Sequence, residues 1–245
     1  MAELTPEARA AHNRTQLRYY EQDKPGMVPT GSPYLRRHVD ALAGFARLEP
    51  GRRVLEVGCG MGRYTLLLAE RGIAVEGLDL SAVLLERLRA FDGGRFDVPL
   101  HTADVVDPPT ELLGGFDAVV GFFALHHLHD LGASFEAMTR LLSPGGTIAF
   151  LEPNPYNPLY YVQLAVTPGM TWEGDRGMVR MRRDVIFGAM KAAGLQELAL
   201  RRFGFFPPFL ANRPAGRRVE ATLERVRPLE RVLPFQLFRG TLSAT

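Results

Sequence analysis

Val54-Leu55-Glu56-Val57-Gly58-Cys59-Gly60-Met61-Gly62-Arg63-Tyr64 is the stretch that decides how this chain folds. Val54, Leu55 and Val57 form a short apolar run that stops at glycine, as a buried parallel strand does at a tight turn. Thr65 to Arg71 reads as a helix closed by Gly72. Strand, glycine turn and helix open a nucleotide-binding βαβ unit. In it Gly58, Gly60 and Gly62 let the backbone bend, and let a ligand approach where a Cβ would collide. A second apolar strand, Ala74 to Leu78, ends on Asp79, where an acid is placed to accept hydrogen bonds from ribose hydroxyls.

A glycine turn alone does not separate one nucleotide site from another. The third glycine of the dinucleotide pattern G-x-G-x-x-G would fall where this chain has Arg63. Glu56, two residues ahead of the first glycine, adds negative charge that does nothing for a pyrophosphate but suits an ammonium or a sulfonium. Glu56-Val57-Gly58-Cys59-Gly60-Met61-Gly62 resembles motif I of the class I S-adenosylmethionine-dependent methyltransferases, E/D-x-G-x-G-x-G. Three later segments extend the resemblance in order. Ala103-Asp104-Val105 resembles the third-strand motif of that family. Phe116-Asp117-Ala118-Val119 with Leu125-His126-His127 resembles its F-D-x-V…L-x-H segment. Leu142-Ser143-Pro144-Gly145-Gly146 before a strand resembles its L-x-P-G-G turn.

The resemblance covers about Arg52 to Leu151 and implies S-adenosylmethionine as cofactor, with S-adenosylhomocysteine as product. It implies that Glu56, Gly58, Cys59, Gly60 and Gly62 hold the methionine portion, Asp79 and Leu80 the ribose, and Asp104 with Val105 the adenine. Gly121 and Phe122 close the fourth strand beside the ligand crevice, Gly121 leaving room near the transferred methyl. Tyrosines of leading helices in this family border the methionine end, so Tyr19, Tyr20 and Tyr34 are candidates, Tyr20 first; the alternative is that they pack those helices onto the core.

Length and composition bound the rest. A chain of 245 residues, 46% apolar and 23% charged, suits one α/β domain with additions. The longest apolar run, near Ala118 to Leu125, is far short of the ~20 residues that span a bilayer. The N-terminal stretch is polar and shows no signal peptide, and the lone Cys59 forms no intrachain disulfide; both fit a cytoplasmic setting. A net charge of +2 does not argue for nucleic acid. From Arg201 onward, however, nine arginines face only Glu220, Glu224 and Glu230, which reads as a solvated face or as a surface for anionic substrate or lipid.

In chain order, Pro6 to Gln22 is helical, Asp23 to Ser32 is a loop, and Pro33 to Ala46 is a helix. Ser81 caps a helix through Phe91, and Pro99 to Ala103 is a third strand. Phe116 to Phe122 is the fourth, Asp130 to Leu142 a helix, Ser143 to Gly146 a turn and Thr147 to Leu151 the fifth strand. The segment Glu152-Pro153-Asn154-Pro155-Tyr156-Asn157-Pro158 cannot continue a central strand. It makes a loop at the carboxyl end of the sheet, so Glu152, Asn154 and Tyr156 are the candidate substrate contacts; Glu152 alternatively binds backbone N–H groups of its own loop. Leu159 to Arg180 extends that wall. Asp184 caps a helix to Ala193, and Leu195 to Phe203 is the sixth strand. The apolar Phe203 to Leu210 run precedes an amphipathic helix marked by Val219, Leu223 and Val226, and Phe235 to Arg239 is the seventh strand, antiparallel to the sixth.

The fold class is therefore α/β: a Rossmann-like, seven-stranded, mostly parallel sheet with helices on both faces, an antiparallel last strand and an N-terminal helical lid. Residues 1–46 form the lid and 47–245 the methyltransferase domain, with insertions at about 153–181 and 204–233. The function implied is methyl transfer to a small-molecule acceptor, at O or N rather than C. His126 and His127 are the candidate general bases. No Cys, Asp or Glu at familiar zinc spacing joins the histidines, so no metal is expected. Two other classes stay open at this point, a non-catalytic nucleotide-binding module and a nicotinamide-dependent oxidoreductase. The acceptor and the oligomeric state are not legible, and peripheral lipid contact is compatible with the Phe203 to Leu210 run.

Overall fold

The computed structural model describes residues 5–22, 27–166, 172 and 176–244. The expected loop at Pro25 and Gly26, and part of the Leu159–Arg180 wall, lie outside the described residues. One sheet of seven strands runs in the order β3-β2-β1-β4-β5-β7-β6. Strands β1 (Arg53–Val57), β2 (Ala74–Asp79), β3 (Leu100–Thr102), β4 (Phe116–Phe122) and β5 (Leu142–Pro153) are parallel. Strand β7 (Phe235–Thr241) inserts antiparallel between β5 and β6 (Gln196–Phe203). The order reverses at β1, so the crevice beyond its carboxyl end lies at a topological switch point, where open α/β sheets bind ligands.

The period-two alternation of the strands divides the core in two. Leu55 and Val57 of β1, Val119 of β4 and Ile148 and Phe150 of β5 pack beneath Phe135 and Met138 of α5 (Leu131–Leu141) and Ile186 and Met190 of α7 (Arg183–Ala192). Val54, Ala118, Val120, Ala149 and Leu151 face the other way, against Leu35, Val39 and Leu42 of α2 (Pro33–Ala46) and Leu67 and Leu68 of α3 (Thr65–Ala69). Helix α4 (Ala82–Asp92) starts at Ser81, whose hydroxyl accepts from Leu84 N, and it seats Leu85 and Leu88 against Cys59. Helix α1 (Pro6–Tyr20) buries no residue, so packing alone does not hold it.

Five readings of the chain are corrected. Glu152 and Pro153 do not leave the sheet but end β5, paired with Gln236 and Phe235 of β7. The Ser143–Gly146 turn is a bulge inside β5, because β4 pairs Phe116 with Leu142 and then Ala118 with Thr147. Asp184 lies inside the first turn of α7, and the cap position is Arg182, which makes no side-chain cap bond. The third strand is shorter than expected, and Asp104 follows it in the loop. Helix α8 (Pro214–Leu223) ends before Val226 and does not bury the apolar stripe read from it: Val219 is exposed, as is Val226 beyond the helix, and the residue it buries is Glu220.

Candidate active site

A cavity of about 1210 Å³ opens at the carboxyl ends of β1, β2 and β4. Small-molecule sites usually measure about 300–1,000 Å³, so there is room for a cofactor and an acceptor together. Its floor is the glycine turn. Gly58 and Gly60 have φ of +72° and +52°, and a Cβ on Gly58 would stand 2.9 Å from Ala124 Cβ. Cys59 is buried in the same turn, and burial pushes its thiol well up, which leaves it a small packing residue and no nucleophile.

Glu56 shares the α2/α3 face of β1 with Val54, lines the cavity, and is 1% exposed with its Oε2 lacking any hydrogen-bond partner. Burial raises its pKa to about 8, against the Thr65 hydroxyl and with the charge of Asp79 adding to the rise. A buried, unpartnered carboxyl oxygen at the end of β1 is incomplete without a cation, and this is the observation on which a bound amino-acid ammonium fits the site. Asp79, at the tip of β2, is fastened on both sides: Gly60 N donates to Oδ2 at 2.8 Å and Ser81 N to Oδ1 at 2.9 Å. Its pKa is raised by burial, with those backbone N–H groups opposing the rise. Leu80 and Val105 also line the cavity, and Phe122 stacks on Tyr64 with ring centroids 4.2 Å apart.

Asp104 faces α1 from the opposite rim. Asn13 Nδ2 donates to its Oδ2 at 2.8 Å, Arg9 Nε lies 3.6 Å away, and Val106 N donates to its Oδ1. Tyr20, the last residue of α1, bonds His127 Nε2 through its hydroxyl, and His12 Nε2 lies 2.7 Å from the His127 carbonyl. Glu21 accepts from the Ser81 hydroxyl at 2.7 Å. Polar bonds to the cavity rim thus hold α1 in place of the apolar face it lacks.

Glu152 is fully buried and does not line the cavity. Its Oε1 accepts from Ala124 N at 2.9 Å and Leu125 N at 2.7 Å, and its Oε2 lies 2.6 Å from His126 Nδ1. A carboxylate acceptor makes Nδ1 the protonated nitrogen and Nε2 the ring's basic one. His126 does line the cavity. Neither reading of Glu152 holds: it is no substrate contact, and the backbone N–H groups it binds belong to the segment after β4 and not to its own loop. Asn154 is corrected likewise: it is buried, donating to the carbonyls of Arg231 and Leu233 at 2.9 and 2.8 Å. Tyr156 is half exposed and off the cavity. Gly62 and Gly121 are also off it. A Cβ on Gly62 would stand 2.6 Å from Leu88 Cγ, and one on Gly121 2.2 Å from the Phe150 ring, so both glycines admit packing partners where a ligand was expected.

Sequence reading missed Asn13 and His38. His38 lines the cavity from α2 and is almost fully buried, its Nδ1 3.1 Å from the Tyr64 hydroxyl. Burial, with Arg63 and Arg37 nearby, lowers its pKa to about 3, so it is a neutral ring. Its helical spacing with Leu35, Val39 and Leu42 was a signal for burial but not for the cavity. Phe123 was missed too. It holds φ +55°, an unusual conformation for so bulky a residue, at the rim just beyond β4. Among the described residues, no group of three His, Cys, Asp or Glu side chains could hold a metal ion, and no helix is long and apolar enough to cross a membrane.

A Rossmann-like sheet with a buried acid before a glycine turn and a second acid fastened at the next strand tip defines a nucleotide-cofactor-binding α/β protein. The particular family follows from comparison with known proteins. Residues 31–200 match the family model of a methyltransferase domain, and the chain belongs to that family. It is 31% identical over 215 residues to the ubiquinone biosynthesis O-methyltransferase of Idiomarina loihiensis, covering 83% of this chain and 85% of that one. It is 36% identical over 115 residues to the protein of the same name from Paracidovorax citrulli, 46% of this chain and 48% of the relative. The chain spans about half the length of the first curated relatives it matches. A phosphoethanolamine N-methyltransferase of Haemonchus contortus, solved with S-adenosyl-L-methionine, shares the fold with a TM-score of 0.63 at 17% identity, over 96% of this chain and 60% of that one. This membership leaves the nicotinamide-dependent reading without support.

Proposed function

We propose that the chain transfers a methyl group from S-adenosylmethionine to a hydroxyl oxygen of an apolar small molecule. Glu56 and the Gly58–Gly60 turn take the amino-acid end of the cofactor, Asp79 and Leu80 its ribose, and Asp104 with Val105 its adenine. Bound there, the cofactor supplies an electrophilic sulfonium methyl, whose sulfur is already a good leaving group. Much of the protein's task is then to align the acceptor and exclude water, as α1 and the aromatic rim are placed to do. Tyr20 and the rest of α1 serve as the lid in this reading, whereas α2, whose Leu35, Val39 and Leu42 pack on the sheet, belongs to the core.

The observation that carries oxygen as the acceptor atom is the Glu152–His126 pair. A hydroxyl must lose its proton as it attacks, and His126 Nε2 is a base held in one tautomer on the cavity wall. Glu152, itself anchored by two backbone N–H groups, fixes the ring and stabilises the imidazolium. His127, engaged by Tyr20, braces the lid.

Two walls give the acceptor its apolar character. Leu159 and Val162 of α6 (Pro158–Val166) and Phe209 line the cavity, yet stand 63%, 57% and 68% exposed. Relatives named for ubiquinone biosynthesis O-methylation make a phenolic ring with an apolar tail the first acceptor class to test. Labelled S-adenosylmethionine added to source-cell extract should place label in the organic phase, and label in water-soluble product would overturn the apolar acceptor. Glu152→Gln should lower kcat by about 10²-fold or more at unchanged S-adenosylhomocysteine affinity, because the amide reverses the His126 tautomer. Wild-type turnover in both Glu152→Gln and His126→Asn would remove the base.

A further inference from the structure

The Gly204-Phe205-Phe206 segment carries two rings of the cavity wall, and three successive backbone N–H groups in it are taken by carboxylates of α8. Phe205 N and Phe206 N donate to Glu220 Oε1 at 2.7 and 2.9 Å, and Gly204 N donates to Glu224 Oε1. Glu220 is 1% exposed, although the neighbouring Val219 on the same helix faces solvent. Arg37 of α2 reaches both carboxylates, one through each terminal nitrogen, and its guanidinium lies 5.9 Å from the Phe203 ring. Gly204 has φ +83°, and a Cβ there would meet the Phe235 ring at 2.6 Å, so the chain turns sharply where the clasp begins. Beyond it the Phe205 and Phe206 rings meet edge-on, with centroids 5.3 Å apart. A second tie runs parallel, from Tyr34 N of α2 to Asn212 Oδ1 at 2.9 Å.

A buried glutamate is costly, and an apolar residue at position 220 would be the simpler way to seat α8 on the sheet. What a carboxylate does and an apolar side chain cannot do is fix the peptides of the aromatic wall while answering the guanidinium of Arg37 on α2. We propose that Glu220 is a positioning residue for acceptor recognition: with Arg37 and Glu224 it clasps the Gly204–Phe206 backbone, and so sets the Phe205 and Phe206 rings as a fixed apolar wall of the acceptor end. The clasp joins α2 to the insertion after β6, so the acceptor wall is referenced to the core helix that lines the same cavity. This rests on the reading of the cavity as a site for an apolar acceptor beside the cofactor.

The test compares Glu220→Gln, which keeps an oxygen for the two N–H groups, with Glu220→Ala, which keeps none. The probe is phenylnaphthylamine, an apolar fluorophore, titrated into the full chain with S-adenosylhomocysteine present; binding of S-adenosylhomocysteine itself is measured by calorimetry. Glu220→Ala and Phe206→Ala should each bind the probe about tenfold more weakly, with Glu220→Gln near wild type and S-adenosylhomocysteine affinity constant throughout. Amide exchange at Phe205 and Phe206 should quicken in Glu220→Ala and be restored in Glu220→Gln. Wild-type probe affinity in Glu220→Ala, or parallel loss of S-adenosylhomocysteine, overturns the clasp alone. A wild type that binds S-adenosylhomocysteine but no probe overturns the apolar-acceptor reading and the clasp with it.

Discussion

Cofactor affinity should depend on pH through Glu56. This carboxyl has its pKa raised to about 8, chiefly because it is buried, so at neutral pH it is held as the neutral acid. An ammonium placed against it favours the anion, so binding near pH 7 expels a proton. By linkage, apparent affinity is proportional to the ionised fraction of Glu56 in the free protein, and between pH 7.5 and pH 6.0 that predicts a roughly 25-fold rise in Kd for S-adenosylhomocysteine. Calorimetry at pH 7 in buffers of different ionisation enthalpy should show release of about 0.9 proton per ligand bound. Glu56→Gln should flatten the pH dependence and bind more weakly by about 1.5–3 kcal/mol at pH 7.5, the range for a hydrogen bond to a charged group. A Kd that is flat from pH 6.0 to 7.5, with no proton released, would refute the assignment of Glu56 to the ammonium. A pH dependence that survives in Glu56→Gln would move it to another group.

The same residue and His38 give the ligand-free protein opposite pH dependences. The folded pKa of Glu56 lies above its unfolded value, so its contribution is fully present below about 4.5 and is lost as pH rises towards 8. His38 is depressed from 6.5 to about 3, so its contribution is present above 6.5 and is lost as pH falls through that window; His38→Phe should lose less stability than wild type between pH 6.5 and 4 in urea titrations. Gly121→Ala, whose Cβ would stand 2.2 Å from the Phe150 ring, should cost about 1–3 kcal/mol in chemical denaturation, and a stability equal to wild type would mean that the ring has somewhere to go. Asn13→Ala should leave the melting temperature within about 2 °C, since α1 buries nothing, but weaken S-adenosylhomocysteine severalfold; a large drop in melting temperature would mean that α1 is part of the core.

The parts of this fold that were legible are those whose cause is local. Val54 to Val57 reads as a buried strand from its run of apolar residues, and Ser81 and Asp130 read as helix starts; in the structure each side chain accepts from the N–H group three residues on. The cavity floor is legible for the same reason: Glu56, Gly58, Gly60 and Asp79 are close in sequence as well as in space. The corrected residues have distant partners. Asn154 looks like a substrate contact until the carbonyls of Arg231 and Leu233 fold back onto it. Gly121 looks like space for a ligand until the register of β4 against β5 lays Phe150 beside it.

Helix α8 shows why periodicity alone fails at the acceptor end. Val219 and Leu223 predict an inward stripe only if the inward face is apolar, and here the carboxylates of Glu220 and of the C-cap Glu224 meet three backbone N–H groups and a guanidinium. A surface of that chemistry selects a carboxylate at position 220 and leaves Val219 to solvent, reversing the pattern that a hydrophobic core would impose. The same inversion occurs at Glu152, an acid in the strand next to β4 that is buried because two backbone N–H groups and an imidazole await it. Both glutamates are buried polar anchors behind cavity walls, one behind His126 and one behind Phe205 and Phe206. In the proposed reading, the chemistry and the acceptor fit of this site are therefore set from behind the cavity, by residues that a ligand does not touch.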